Sequence, residues 1–204
     1  MPTSLAEFEL TPAAWQLWCY ATLTLVMLMA VESDLRERRI PNTLVLLALL
    51  AGLTLNTFGP ANGREGLFGY FPGALGLLTA LAGALTGLGL LLPLYALRAM
   101  GAGDVKLLAA LGAFTGPQET LSLLLAIFAA GGVLAVLRVA YKGNARPVLR
   151  NVALAMGSVT RRDAPRFDPA TQSADRMPFA LAFAAGLLAY GAWRHAGGMP
   201  FIVF

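Results

Sequence analysis

Two carboxylates stand in an otherwise apolar chain. Asp104 closes the glycine-broken stretch Gly101-Ala102-Gly103-Asp104-Val105-Lys106, which lies between two long apolar runs. Asp34 belongs to Glu32-Ser33-Asp34, which ends the first apolar run and is followed at once by Arg36, Arg38 and Arg39. A charge at or near membrane depth is expensive and marks a functional site by default. Two carboxylates that share a site do not both ionise easily: one keeps its proton while the other gives it up. The ionised partner can take a proton from water. The protonated one can polarise a carbonyl and then protonate the leaving amine. The chemistry these two residues suggest is paired-aspartate hydrolysis at a membrane surface, and it needs no metal and no cofactor.

The neighbouring residues would shape such a site. Gly101 and Gly103 lack a Cβ, so the backbone can turn sharply and approach a substrate strand closely. Asp104 then opens a helix, with the positive end of the helix dipole beside it. Lys106 reads as an anchor whose stem lies on apolar surface while its charge reaches water. Glu32, Arg38, Arg39, Pro41 and Asn42 are candidates for the substrate-facing side. On a helix Glu32 and Asp34 point to different faces, so at most one of them faces Asp104.

The elements that position these residues are helices in a membrane. Of the 204 residues 57% are apolar and only 13% are charged, where a soluble domain of this length carries about 25% charged residues. The apolar runs are long and lack strand alternation, which predicts an all-α, polytopic membrane protein forming one domain over residues 1–204. Six spans are expected: 13–31, 43–58, 70–97, a short one over 105–116, 118–141 and 179–193. Pro12 suits a first helical turn, and Trp15, Trp18 and Tyr20 read as interfacial anchors. Pro41 blocks a continuous helix, and Asn42 is a plausible N-cap for the next. Gly83-xxx-Gly87 and the pair Gly73/Gly76 are small-residue patterns that let helices approach closely. Pro93 is expected to kink the end of its helix, and Thr115-Gly116-Pro117 to break the chain again. The run 105–116 is too short to span alone, so the turn before it is expected to be partly immersed, with its backbone facing protein or a water-filled cavity.

Charge sets the expected topology. Thirteen of the fifteen lysines and arginines fall beside or within the loops after the first, third and fifth spans; the exceptions are Arg64 and Arg194. The positive-inside rule then puts both termini outside and both aspartates inside. The basic segment 142–177 is the one long polar stretch, and its part 151–159 has the composition of a surface-lying amphipathic helix or a loop. The net charge of +4 reflects this loop pattern and not nucleic-acid binding. The one cysteine, Cys19, cannot form an internal disulfide and reads as buried in the first span. His195 reads as an interface residue at the end of the last span.

At this point the chain resembles the type IV prepilin peptidases, membrane-embedded aspartic proteases. Gly101-Ala102-Gly103-Asp104-Val105-Lys106 looks like their GxGD signature. Asp34 followed by Arg38-Arg39-Ile40-Pro41-Asn42 resembles their first-aspartate motif, and Met177-Pro178-Phe179-Ala180 resembles an element near the last span. The resemblance implies catalytic roles for Asp34 and Asp104. It implies a multi-pass protein of the bacterial inner membrane that cuts the basic leader from prepilins and pseudopilins on the cytoplasmic side. Large bifunctional members carry a cysteine-paired insert and also N-methylate the new terminus. This chain has one cysteine and no such insert, so it resembles the compact, peptidase-only kind associated with tight-adherence (Flp-type) pili. Two readings from other classes compete. A small proton- or cation-coupled transporter also uses intramembrane carboxylates and broken helices, but no internal repeat is evident and both carboxylates fall at one membrane face. A non-enzymatic subunit of a secretion assembly would tolerate Asp104→Asn. The lipid bilayer is the one partner besides substrate that the sequence implies, and the oligomeric state is not legible in it.

Overall fold

The computed structural model describes residues 11–60, 65–97, 99–142 and 178–203. The basic stretch 143–177, the expected surface helix over 151–159, Arg98 and Met177 lie outside these residues. Five helices are formed among the described residues: α1 (Pro12–Glu37), α2 (Asn42–Phe58), α3 (Leu77–Ala96), α4 (Ala102–Lys142) and α5 (Phe179–His195). Three of them, α1, α3 and α4, are long and apolar enough to cross a membrane, and α2 is a shorter apolar helix. Their outward faces are apolar too. Leu28, Leu85 and Leu188 are 65%, 67% and 74% exposed, which suits lipid and not water.

The helix ends follow from local chemistry. Thr11 caps α1, its Oγ1 accepting from Ala14 N at 3.3 Å, with Pro12 in the first turn. The helix stops at Arg38, which takes left-handed angles (φ 54°, ψ 33°) and donates its N–H to Asp34 O at 3.1 Å. Ser33 Oγ then donates to Arg39 O at 2.6 Å and holds the turn. The N-cap of α2 is Pro41, without a side-chain cap bond. Asn42 is therefore the first helical residue and not the cap expected from its type. Its side chain is used elsewhere, as described below.

The helix expected from residue 70 begins only at Leu77. The reason is Asn56, which is fully buried at the end of α2. Its Oδ1 accepts from Leu75 N at 2.9 Å, and its carbonyl accepts from Gly76 N at 3.0 Å. These bonds hold the preceding loop against α2 and take donors that a longer helix would have needed. Gly76 turns the chain into α3 with φ 83°, and nothing lies within 4 Å of where a Cβ would stand, so it serves the turn and not helix packing. Trp15 likewise departs from expectation. It is completely buried and its indole N–H donates to Leu55 O at 2.8 Å, which makes it a core residue; Trp18 remains exposed.

The chain folds back on itself within α4. Residues eight apart in a straight helix are about 12 Å apart along the axis. Here a Cβ on Gly112 would lie 3.1 Å from Thr120 Oγ1. The reversal is at Gly116 (φ 76°, ψ 172°), followed by Pro117, so α4 consists of two arms, 102–115 and 117–142. Pro117 has no N–H, which orphans the carbonyl of Ala113. Asn56 Nδ2 satisfies it at 2.9 Å and also reaches Phe114 O at 3.3 Å. The Thr115 and Thr120 hydroxyls meet at 2.8 Å and close the turn. One buried amide thus ties α2, the approach to α3 and the end of the first arm of α4. Asn56→Leu keeps the volume and leaves these groups without partners, at a cost of about 1–3 kcal/mol. The expected result in a detergent-solubilised melt is a Tm lower by about 2–4 °C for each kcal/mol lost; an unchanged Tm would contradict this role.

The first arm of α4 packs on α3 almost backbone to backbone. A Cβ on Gly83 would run into Gly112 O, and one on Gly87 into Leu108 O, as the small-residue pattern of α3 predicts. The second arm runs antiparallel to α5, with Gly186 against the Ile127 backbone and Gly131 against Ala182. At the end away from Asp104 a buried ion pair joins them. Arg194 Nη2 lies 2.9 Å from Glu119 Oε1, Tyr190 O–H donates to Glu119 Oε2, and Arg194 Nη1 donates to Gly198 O at 2.7 Å. Ion pairing and hydrogen bonding together make such burial tolerable.

Candidate active site

The two aspartates come from α1 and from the first arm of α4, and the turn that follows α1 docks on the start of that arm. Both aspartates are half-buried. Asp104 is the third residue of α4, and its Oδ2 accepts from Gly101 N at 3.2 Å. This is half of a capping box, in which an acidic side chain in the first turn reaches back to the N-cap N–H. Asp34 Oδ2 accepts from Ala180 N at 3.0 Å, a donor in the first turn of α5. Each carboxylate thus has its Oδ2 on a main-chain N–H at a helix start.

The motifs dock onto each other directly. A Cβ on Gly103 would lie 3.2 Å from Ile40 Cβ, so the missing side chain gives Ile40 its seat on the α4 start. A Cβ on Gly101 would lie 3.3 Å from Asp104 Oδ2. Neither glycine takes a positive φ. Their role is close approach, and the sharp left-handed turn in this region falls to Arg38 instead. Lys106 Nζ donates to Asn42 Oδ1 at 3.0 Å, so this lysine bridges the starts of α2 and α4 instead of merely anchoring at an interface.

The remaining candidates lie on α1 and on the turn that follows it. Glu32 is exposed and pairs with Arg36 at 3.0 Å on the helix surface. It lies off the face that carries Asp34, as helical geometry requires. Arg38, Arg39 and Pro41 are exposed on the connecting turn. A groove of about 630 Å³ runs between α1 and α2, lined by Leu25, Met29, Leu44 and Leu47 together with Glu32 and Arg36. Neither aspartate lines it; the groove is on another face of α1. Among the described residues, no three His, Cys, Asp or Glu side chains come together as a metal cluster would require. Cys19 is buried and free.

Sequence reasoning missed Ala180 as a partner of Asp34. The available signal was Pro178: an apolar helix that opens on proline with no Ser, Thr, Asp or Asn before it must find acceptors for its first N–H groups elsewhere. It also missed Asn56, whose signal is an amide in an apolar run, and the pairing of Glu119 with Arg194.

Residues 21–136, more than half of the chain, match the profile of the type IV leader peptidase family. The matched region contains both aspartates, the Arg38–Asn42 turn and the α3–α4 packing, and stops short of α5. No curated relative and no solved structure matches the chain.

Proposed function

The chain belongs to the type IV leader peptidase family, and from that premise we propose that it is a six-span aspartic endopeptidase of the bacterial inner membrane. It removes the short basic leader from Flp-like type IV prepilins and pseudopilins at the cytoplasmic face, with both of its own termini outside. The observation that supports this most is that Asp34 and Asp104 each have one oxygen held by a main-chain N–H at a helix start. In the proposed reaction one carboxylate takes a proton from water as the water oxygen attacks the scissile carbonyl. The other donates a hydrogen bond to that carbonyl. The carbon–nitrogen bond then breaks, and the proton passes to the departing amine. No cofactor takes part. The substrate's apolar helix stays in the bilayer while its cationic leader enters from water, and the paired carboxylates suit a cationic partner. With one cysteine in the chain, the activity is cleavage alone, without N-methylation.

The test is direct. Purified protein is mixed with an Flp-type prepilin, with S-adenosylmethionine present, and the products are weighed. The expected result is one cut, between the leader and the apolar helix, with an unmethylated new terminus. Failure to cut any member of a panel of prepilins and pseudopilins, by protein with an intact thermal transition, would overturn the reading. A methylated product would remove the peptidase-only part.

A further inference from the structure

We infer that the start of α5, Pro178-Phe179-Ala180, is the positioning element for Asp34, and that it acts through the main-chain N–H of Ala180. The inference rests on the reading of Asp34 as a catalytic residue. It adds a part of the site that lies outside the region matched to the family.

A helix start leaves its first N–H groups without partners, and a polar side chain at the N-cap normally supplies one. In α5 the N-cap is Pro178 (φ −60°, ψ 113°), and no side-chain cap bond is made. Asp34, 146 residues earlier, supplies the acceptor: its Oδ2 takes the Ala180 N–H at 3.0 Å. The service is reciprocal. The carboxylate caps α5, and α5 fixes the carboxylate. Rotation about the last side-chain bond of Asp34 is restrained and Oδ2 is occupied, which leaves Oδ1 for water. Asp104 is held in the same manner by the Gly101 N–H, so both carboxylates have matched supports.

The support is itself rigid. Ala180 is fully buried. Phe179 beside it packs its ring edge-on against Phe128 of the second arm of α4, at 6.4 Å between centroids, and against Phe183 at 5.7 Å. The first turn of α5 is therefore clamped to α4 while it holds α1. No charged side chain lies in that turn; the basic residues of α5, Arg194 and His195, are in its last turn. Correct placement of a reacting group within a fraction of an ångström has large effects on rate, so the effect belongs in kcat.

Two measurements test this. In the first, the Ala180 amide is replaced by an ester through nonsense suppression with lactic acid, which removes the N–H and leaves the side chain. The same exchange at Ala182 removes an ordinary helix N–H and serves as reference. The expected result is a fall in kcat of about 10-fold or more at position 180, with KM little changed, and a much smaller fall at position 182. Equal effects at the two positions, or a change in KM alone, would overturn the proposal. The second measurement needs no substrate. Asp34→Asn retains a carbonyl oxygen to accept from Ala180, and Asp34→Ala does not. The melting temperature of Asp34→Ala is expected to lie about 2–4 °C below that of Asp34→Asn. Equal values would show that Asp34 does not cap α5. A wild type that cuts no prepilin would count against the peptidase reading, while the melting comparison still decides whether Asp34 and α5 hold each other.

Discussion

Leader cleavage is expected to fall by about 10³-fold or more in Asp34→Asn and in Asp104→Asn, with the protein present at wild-type level in the membrane. General acid–base groups contribute about 10²–10⁴-fold each, and groups that act as a unit lose most of their joint effect when either is removed. Asparagine has the shape of aspartate, and its carbonyl can still accept from Gly101 N or from Ala180 N, the two bonds that hold the wild-type side chains. The fold should therefore survive while proton exchange with water is lost. The double variant is expected to be hardly worse than either single one. A gel shift of co-expressed prepilin, calibrated by membrane level, reads the result. Cleavage surviving in one variant removes that aspartate from the mechanism. Cleavage surviving in both would remove the paired aspartates from the mechanism altogether.

Gly83→Leu has the largest expected effect on the fold itself. A Cβ at this position would collide with Gly112 O and with the Gly116 backbone, so even alanine requires α3 to move away from α4. Overpacking of this kind costs about 3 kcal/mol, a large share of the roughly 5–15 kcal/mol that holds a domain folded. Gly89→Leu, on the same helix, is the contrast: nothing lies within 4 Å of a Cβ there, and the change should stay within about 0.5 kcal/mol. The yield of monodisperse protein after solubilisation, with its Tm, compares the two. Similar losses for both would mean that the contact between Gly83 and Gly112 does not support the fold. The stake is functional as well, because the first arm of α4 carries Asp104 and leans on α3.

What could be read from the sequence was what apolar surroundings make conspicuous. Asp34 and Asp104 stand out because charge is rare here, and Gly83 and Gly87 because a small-residue spacing has one mechanical use. The break at Thr115-Gly116-Pro117 was readable because proline cannot continue a hydrogen-bond ladder. The reversal between the two arms follows from the expected spans 105–116 and 118–141; what holds it was not legible, since the Ala113 carbonyl is satisfied by Asn56, 57 residues before it. The same limit hid Ala180. Its contribution is a backbone N–H, which every residue but proline has, and only the third dimension selects this one. The position of Trp15 near a span end fits an interfacial anchor; the carbonyl of Leu55, which holds it inside, is 40 residues away. Asn42 was read as a cap from its type, and Lys106 uses it instead.

The link between Asp34 and Ala180 also sets an order of events in synthesis. A ribosome adds about 5–20 residues per second, so the 146 residues between them take about 7–30 s to make. During that interval α1 and then α4 enter the bilayer, and the nascent chain carries both carboxylates without the backbone donor that aligns the first of them. Of the helices described, α5 is made last, and it brings the donor that holds Asp34. A chain that stalls or is cut before α5 therefore holds both aspartates with Asp34 unaligned, and the bond to Ala180 forms only when α5 has docked.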